Sequence, residues 1–209
     1  MGRVKAAGEA AAGGGAGTAA LTTAERLVAA ALALLDAGGE EAVTMRAVGH
    51  ACGLSHNASY KHFKSRKALL AAVATAEFSY LSQNLEAVLS SKTGAEEKLT
   101  RALDIIIEYN FAHPARYKLL FVADPGIVGE DEELRRAAGA AFATFRAIVS
   151  ECQADWGLPA GADVSIAGLM LATLQGLVAQ EANGRINADK GQIGVRAGMN
   201  VLVRLLSRS

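Results

Sequence analysis

The most constraining feature of this sequence is that its apolar residues recur at intervals of three and four over most of its length. The segment that contains Leu27, Ala31 and Leu35 shows this spacing clearly, and it is the spacing of one face of an α-helix. Alanine and leucine, which favour helix over strand, supply much of the 51% hydrophobic fraction. No convincing run alternates Val, Ile, Thr or aromatic residues between hairpin turns. We therefore predict an all-α fold of about nine helices.

The chain divides into three predicted parts. Residues 1–20 are rich in glycine and alanine, and no strand precedes their glycines, so they lack the context of a phosphate-binding loop and are expected to form a disordered arm. Residues 21–66 are predicted to form a three-helix domain, and residues 67–209 a second, larger helical domain. Breaks and caps predict its helices at 66–90, 95–111, 114–122, 130–156, 162–182 and 189–207.

Two short helical patterns inside the first domain are separated by a tight turn. Thr44 is expected to cap the first of them, which buries Met45 and Val48. Gly53 supplies the turn, since glycine takes a positive φ without cost. Ser55 is expected to bond the orphan amides of a second helix over residues 56–62. That helix would be about 10 Å long and would fit a DNA major groove about 12 Å wide. This is the pattern of a helix-turn-helix.

The same segment carries a local positive charge in a chain whose formal net charge is zero. No acidic residue lies between Glu41 and Glu77, whereas five basic residues do: Arg46, Lys61, Lys64, Arg66 and Lys67. A basic patch in a neutral protein indicates a site rather than a general tendency. We therefore expect this unit to bind double-stranded DNA.

The predicted contacts divide into those that read bases and those that hold phosphate. Asn can pair with an adenine edge and Ser with several bases, so the predicted reading residues are His56, Asn57 and Ser59. Phosphate contacts set register and affinity. The predicted positioning residues are Thr44, Tyr60, Lys61, His62, Lys64 and Lys67. Arg46 and Ser55 complete the predicted DNA-contacting set.

Over about residues 23–73 the sequence resembles the TetR family of transcriptional regulators. The likeness is carried by Val43-Thr44-Met45-Arg46, Cys52-Gly53-Leu54-Ser55 and Tyr60-Lys61-His62-Phe63, followed by Leu69-Leu70. The resemblance implies that Thr44, Tyr60 and His62 hold the DNA backbone and that Phe63 belongs to the core. The chain departs from the family with Val48-Gly49 in place of Ile-Ala, with Arg66 in place of lysine, and with Ser59 in place of a larger apolar residue. The last departure leaves open whether Ser59 lies in the core or in the groove.

The C-terminal part resembles a subgroup of that family with a WHG-type ligand-binding domain. The matching residues are His113-Pro114-x-x-Tyr117-x-Leu119-x-Phe121 and Leu174-Gln175-Gly176-Leu177. The resemblance implies a homodimer in which the last two long helices of each subunit form a four-helix bundle, while small molecules bind among the remaining helices. Two apolar stripes are compatible with that bundle or with an ordinary core: Ala167, Leu171, Leu174, Leu177 and Val178, then Val195, Met199, Leu202 and Leu206. Gly168, Gly176, Gly194 and Gly198 are expected to allow close helix approach.

A ligand pocket is usually apolar with a few polar anchors. By analogy, the predicted anchors are Asn110, His113 and Gln175, and the predicted walls include Tyr117, Phe121 and Phe145. The expected effector is a small apolar molecule, and no cofactor is expected.

Other classes of function fit the sequence less well. The sequence has no G-x-S-x-G, P-loop or HExxH motif, and its paired acids stand where they suit helix starts, so an enzyme is not expected. Two distant cysteines argue against a disulfide framework or a zinc site. No membrane association is expected, and a cytoplasmic location fits.

The first hypothesis is a regulator, expected to be a repressor, that an effector releases from a palindromic operator. The second is an all-α small-molecule-binding or enzymatic protein with a vestigial helix-turn-helix.

Overall fold

A computed structural model describes residues 21–122, 131–157 and 161–207. Within these ranges the fold is all-α, as predicted, with nine α-helices, one 3₁₀ turn at Ala188–Lys190 and no strand. The predicted arm, residues 1–20, lies outside the described residues. The helices are α1 (Thr23–Ala42), α2 (Met45–Ala51), α3 (His56–Tyr60), α4 (Arg66–Leu89), α5 (Ala95–Ala112), α6 (Pro114–Phe121), α7 (Glu132–Asp155), α8 (Asp163–Ala182) and α9 (Val195–Leu206).

Local capping chemistry sets several of these boundaries. Thr22 and Glu25 form a reciprocal capping box at the start of α1. The pair Gly38–Gly39 predicts the end of the first helix, but the structure shows a kink there, with φ of 70° at Gly39, and α1 continues to Ala42. The predicted last helix starts late, because Gly191 adopts φ of 68° after the 3₁₀ turn and α9 begins only beyond Gly194.

Helix α4 is the structural link between the two halves of the chain. It packs along α7 and also contacts α1, α5 and α6. Its buried side chains include Leu70, Val73, Leu81 and Leu85, and they continue into the same core as Phe145 of α7. Helix α1 packs in turn against α2, α4 and α6. Helices α2 and α3 therefore join the larger domain through α1 and α4.

The two apolar stripes on α8 and α9 face the interior of the subunit. Ala167, Leu174 and Met199 are fully buried, so these stripes contribute to the subunit core, which is the second of the two alternatives that the sequence left open. Helix α9 approaches α8 closely at Gly198, where an added Cβ would lie 2.6 Å from Cδ1 of Leu177.

By length and composition α8 alone among the described helices could cross a membrane, with a mean hydropathy of 1.3. Ala167, Met170 and Leu174 on its inner face pack in the core of the subunit.

The predicted base-reading role of Ser59 is also wrong. Ser59 is fully buried, and its hydroxyl has no hydrogen-bond partner among the residues that the structure describes. Gly49 of α2 lies directly opposite, because a Cβ added there would stand 2.5 Å from Oγ of Ser59. The two departures from the family pattern are therefore complementary: a residue without a side chain faces a small one where α2 packs on α3.

This packing predicts that substitutions at Gly49 and Ser59 are not additive. We expect Ser59→Ala to raise the free energy of unfolding by about 1 kcal/mol, because it removes a buried unpaired hydroxyl. Gly49→Ala should destabilise the parent chain through contact with Oγ of Ser59. In the Ser59→Ala background it should stabilise by about 0.5–1 kcal/mol, because alanine costs less backbone entropy in a helix than glycine.

Denaturant unfolding of the four proteins measures this coupling. The control is Gly139→Ala on α7, where nothing lies within 4 Å of the added Cβ and the gain should be the same in both backgrounds. Equal effects of Gly49→Ala with and without the Ser59 hydroxyl would contradict the packing described.

Candidate nucleic-acid interface and apolar cavity

The turn between α2 and α3 has the predicted geometry. Gly53 adopts φ of 68°, and its N–H donates to the carbonyl of His50 at 3.0 Å. The N–H of Leu54 donates to the carbonyl of Gly49 at 2.8 Å, and Leu54 packs against the core. These contacts fix the angle at which α3 leaves α2.

Two details of the predicted second helix differ in the structure. Helix α3 has five residues and ends at Tyr60, so Lys61 and His62 belong to the following turn. Ser55 occupies the N-cap position, but its side chain makes no capping hydrogen bond, which corrects the role predicted for it. Its backbone carbonyl accepts from the N–H of Ala58 at 3.0 Å instead. Backbone bonds, rather than a side-chain cap, hold this short helix.

Most of the predicted DNA-contacting residues lie on the outer surface of the unit. Asn57 on α3 is exposed, as is Arg46 on α2. The ring of Tyr60 is 40% exposed. Other residues of the set share this exposure: Ser55, Lys61, His62 and Lys64. Lys67 is half-buried in the first turn of α4. The exposed surface offers amide, hydroxyl and cationic donors without an acidic side chain from the same stretch of sequence.

Thr44 caps α2 and also keeps a hydroxyl proton that can donate a further hydrogen bond. Its Oγ1 accepts from the N–H of Ala47 at 3.1 Å and so caps α2. A hydroxyl that accepts in a cap keeps its own proton as a donor. Because Thr44 is exposed, this proton is placed to donate to an anionic oxygen outside the protein.

Arg66 has a structural role that the sequence did not reveal. Its Nε donates to the carbonyl of Val43 at 2.7 Å, and its Nη2 donates to the carbonyl of Glu40 at 2.6 Å. The same Nη2 lies 3.2 Å from the Glu40 carboxylate. Arg66 therefore ties the start of α4 to the end of α1, although its charge was counted with the basic patch. No local pattern could identify this role, because the partners lie more than twenty residues earlier in the chain.

An apolar cavity lies inside the larger domain. Its volume is about 60 Å³, and its lining comes from α4 to α8: Phe78, Leu81, Leu85, Ile106, Phe121, Ala138, Ala141, Phe142, Phe145 and Leu171. Of the predicted ligand-binding residues, Phe121 and Phe145 belong to this lining. The walls are hydrocarbon, so the cavity suits an apolar molecule or an apolar part of one.

The predicted polar anchors do not line this cavity. Asn110 borders a separate groove between α5, α6, α8 and α9, and His113 borders another beside Tyr80 and Tyr109. Gln175 is half-buried on α8. The spacing of apolar residues placed these three side chains on inward-facing sides of their helices. It could not predict which side chains of other helices each of them would contact.

Tyr117 stands next to the cavity lining. Its ring centroid lies 4.7 Å from that of Phe121, and the residue is 3% exposed. Its hydroxyl has no hydrogen-bond partner in the described part of the chain. Burial raises the pKa of Tyr117 to about 12, so the hydroxyl keeps its proton and remains a donor at neutral pH.

Comparison with known families matches both halves of the chain. Residues 27–73 match the model of bacterial regulatory proteins of the tetR family. Residues 99–197 match a tetracyclin repressor-like C-terminal domain. No curated protein sequence matches the chain.

Solved structures show the same fold over nearly the whole length. A protein of unknown function from Rhodococcus sp. RHA1 has a TM-score of 0.73 at 23% identity, covering 93% of this chain and 98% of its own. The transcriptional regulator FadR of Bacillus subtilis, in complex with stearoyl-CoA, has a TM-score of 0.62 at 15% identity and covers 87% and 96%. The TetR family regulator PfmR of Thermus thermophilus has a TM-score of 0.58 at 18% identity and covers 88% and 98%.

The two family matches agree with the order of the two halves in the structure. The first falls on the helix-turn-helix and the start of α4, and the second on α5 to α9. The chain belongs to the TetR family and is a DNA-binding transcriptional regulator.

Proposed function

We propose that the protein is a homodimeric repressor that binds a palindromic operator and is released from it by a small apolar effector. The observation that carries this proposal is the exposed, acid-free outer surface of α2, α3 and the turn after them, held by the bonded Gly53 turn. Such a repressor acts in the cytoplasm, where its operator lies.

The proposed roles on DNA follow from the exposure of Asn57 and, for His56, from its position as the first residue of α3. Asn57 and His56 at the start of α3 are proposed to read base edges in the major groove. Ser59 takes no part, since it is buried. The proposed phosphate contacts are Thr44, Arg46, Ser55, Tyr60, Lys61, His62, Lys64 and Lys67. Since α3 has only five residues, one copy offers few base contacts, and two half-sites about 34 Å apart would supply the missing specificity.

The proposed dimer contact is the outer face of α8 and α9. Val164, Leu169 and Val201 are exposed there at 47%, 53% and 47%. Gly168 and Gly176 lie on the same outer side of α8, with open space where a Cβ would stand, so a facing helix could approach closely. The proposed occupant is a second copy of the chain. The exposed apolar faces of α8 and α9 in one copy would then pack against the same two faces in the other.

The proposed effector site is the apolar cavity. The hydrocarbon lining supports an apolar effector body, and Tyr117 beside it offers one protonated donor. The acyl chain of the stearoyl-CoA bound to the fold relative FadR is likewise hydrocarbon, so compounds with long acyl chains are the first class of molecule to screen. Of the predicted anchors, Asn110, His113 and Gln175 are not included in this site.

We expect selection from a random DNA pool to enrich an inverted repeat. Fluorescence anisotropy on that duplex should then show weaker binding for Tyr60→Ala and for Lys64→Ala, because each loses a phosphate contact. For Lys64→Ala the slope of log affinity against log salt should fall by about one.

The matched control for the charge change is Lys92→Ala, an exposed lysine between α4 and α5, which should bind as the parent does. Failure of the parent protein to enrich any sequence over the random pool would sink the regulator proposal. Repeating the selection with candidate apolar molecules tests release.

A second prediction concerns assembly. Leu169→Glu and Val201→Glu should each convert the dimer to a monomer, because a carboxylate would be desolvated in the proposed contact. Light scattering after gel filtration measures the mass, and anisotropy should show a parallel loss of operator affinity. Val122→Glu, at a residue that is 64% exposed on the end of α6, is the control. A parent protein that is monomeric, or variants that stay dimeric, would contradict this contact.

A further inference from the structure

We propose that Arg116 transmits the state of the apolar cavity to the DNA-reading helices. It does so through a cluster of four side chains, the Arg116 cluster, which also contains Asp36, Glu77 and Tyr109. The inference rests on the proposed function and adds the physical route of its regulation.

The first half of the cluster joins α6 to α1. Arg116 donates from Nε to Oδ1 of Asp36 at 2.9 Å and from Nη2 to Oδ2 at 2.5 Å. Two parallel bonds between a guanidinium and a carboxylate fix orientation as well as distance. The pKa of Asp36 is lowered, chiefly by its hydrogen bonds to Arg116, as expected for a carboxylate held in this way.

The second half joins α6 to α4 and α5. Nη1 of Arg116 lies 3.2 Å from Oε2 of Glu77, and the hydroxyl of Tyr109 donates to the same oxygen at 2.6 Å. Glu77 is only 6% exposed. A buried carboxylate is costly without its partners, so Arg116 cannot follow one helix without disturbing the others. Arg116 thus links α6 directly to α1 and α4, and Glu77 extends the cluster to α5.

The cluster adjoins the cavity on two of these helices. Glu77 precedes Phe78 on α4, and Arg116 shares α6 with Phe121. Phe78 and Phe121 both line the cavity and meet edge to face, with centroids 5.7 Å apart at 84°. The cavity measures only about 60 Å³, so we expect an occupant of several carbons to push these two rings apart. Their displacement moves the helices that carry Glu77 and Arg116.

The cluster adjoins the DNA-reading unit through the end of α1. Asp36 lies just before the Gly38–Gly39 kink. Beyond the kink, Arg66 holds the carbonyls of Glu40 and Val43, and Thr44 then caps α2. A shift of Asp36 therefore reaches α2 through residues 36–44. Arg116 bonds this segment at its start, and Arg66 bonds it near its end.

A filled cavity can be imitated without an effector. Ala141 lines the cavity, and Ala141→Leu adds a branched alkyl group that must displace the aromatic rings. We expect this change to weaken binding of the selected duplex by about 5- to 150-fold. In the Asp36→Ala background the same change should have little effect, because the link from α6 to α1 is absent while the Arg116–Glu77 pair remains.

Matched controls separate this coupling from a general loss of stability. Ala143→Leu adds the same group on the exposed side of α7, and Glu41→Ala removes an exposed acid from the end of α1. Neither should change the result. An equal effect of Ala141→Leu in both backgrounds, with Asp36→Ala lowering only the melting temperature, would overturn the proposal.

A measurement without DNA keeps this inference distinct from the proposed function. Hydrogen exchange should show that Ala141→Leu alters amide protection in α1 and α2 of the parent but not of Asp36→Ala. If the protein binds no selected duplex yet shows this difference, the regulator proposal fails and the coupling stands. If it binds the duplex but exchange in α1 and α2 does not respond, the coupling fails.

Discussion

The arrangement of the helices in this protein depends on the pairing of one buried carboxylate, that of Glu77, with groups on neighbouring helices. Glu77 of α4 is shielded from solvent and is balanced by Arg116 of α6 and the hydroxyl of Tyr109 of α5. Arg116 also reaches Asp36 of α1. Because a buried charge without partners is strongly destabilising, movement of one of these helices is expected to carry along the helices bonded to it. The two halves of the chain are joined by charge as well as by apolar packing.

Helices α2 and α3 of the DNA-binding unit are too short to be stable alone, so they depend on contacts with the rest of the protein. Isolated helices shorter than about 12 residues are marginal in water, and α3 has five. Its geometry comes from the Gly53 turn, from the contact of Gly49 with Ser59, and from the bonds of Arg66 to the end of α1. A surface that recognises a rigid duplex is thus fixed by contacts behind it, which leaves its outer side chains available to DNA.

Helices α8 and α9 show why an apolar pattern does not by itself identify an interface. Ala167 and Leu174 are buried within the subunit, whereas Leu169 on the same helix is exposed. When both faces of a helix are apolar, its periodicity identifies the faces but not which of them meets the core. The exposed face became visible only when the neighbouring helices were in place.

The sequence by itself determined the all-α class, the breaks at Gly38–Gly39 and Gly53, and the cap at Thr44, because periodicity, positive φ and capping act within a few residues. Tertiary structure decided what depends on distant neighbours. It buried Ser59, engaged Arg66 with backbone carbonyls and kept Asn110, His113 and Gln175 out of the cavity. It also assembled the Arg116 cluster, whose ion-paired members are separated by 39 and 80 residues. A local pattern gives the direction of a side chain on its own helix, whereas the group it meets is set by how the helices pack.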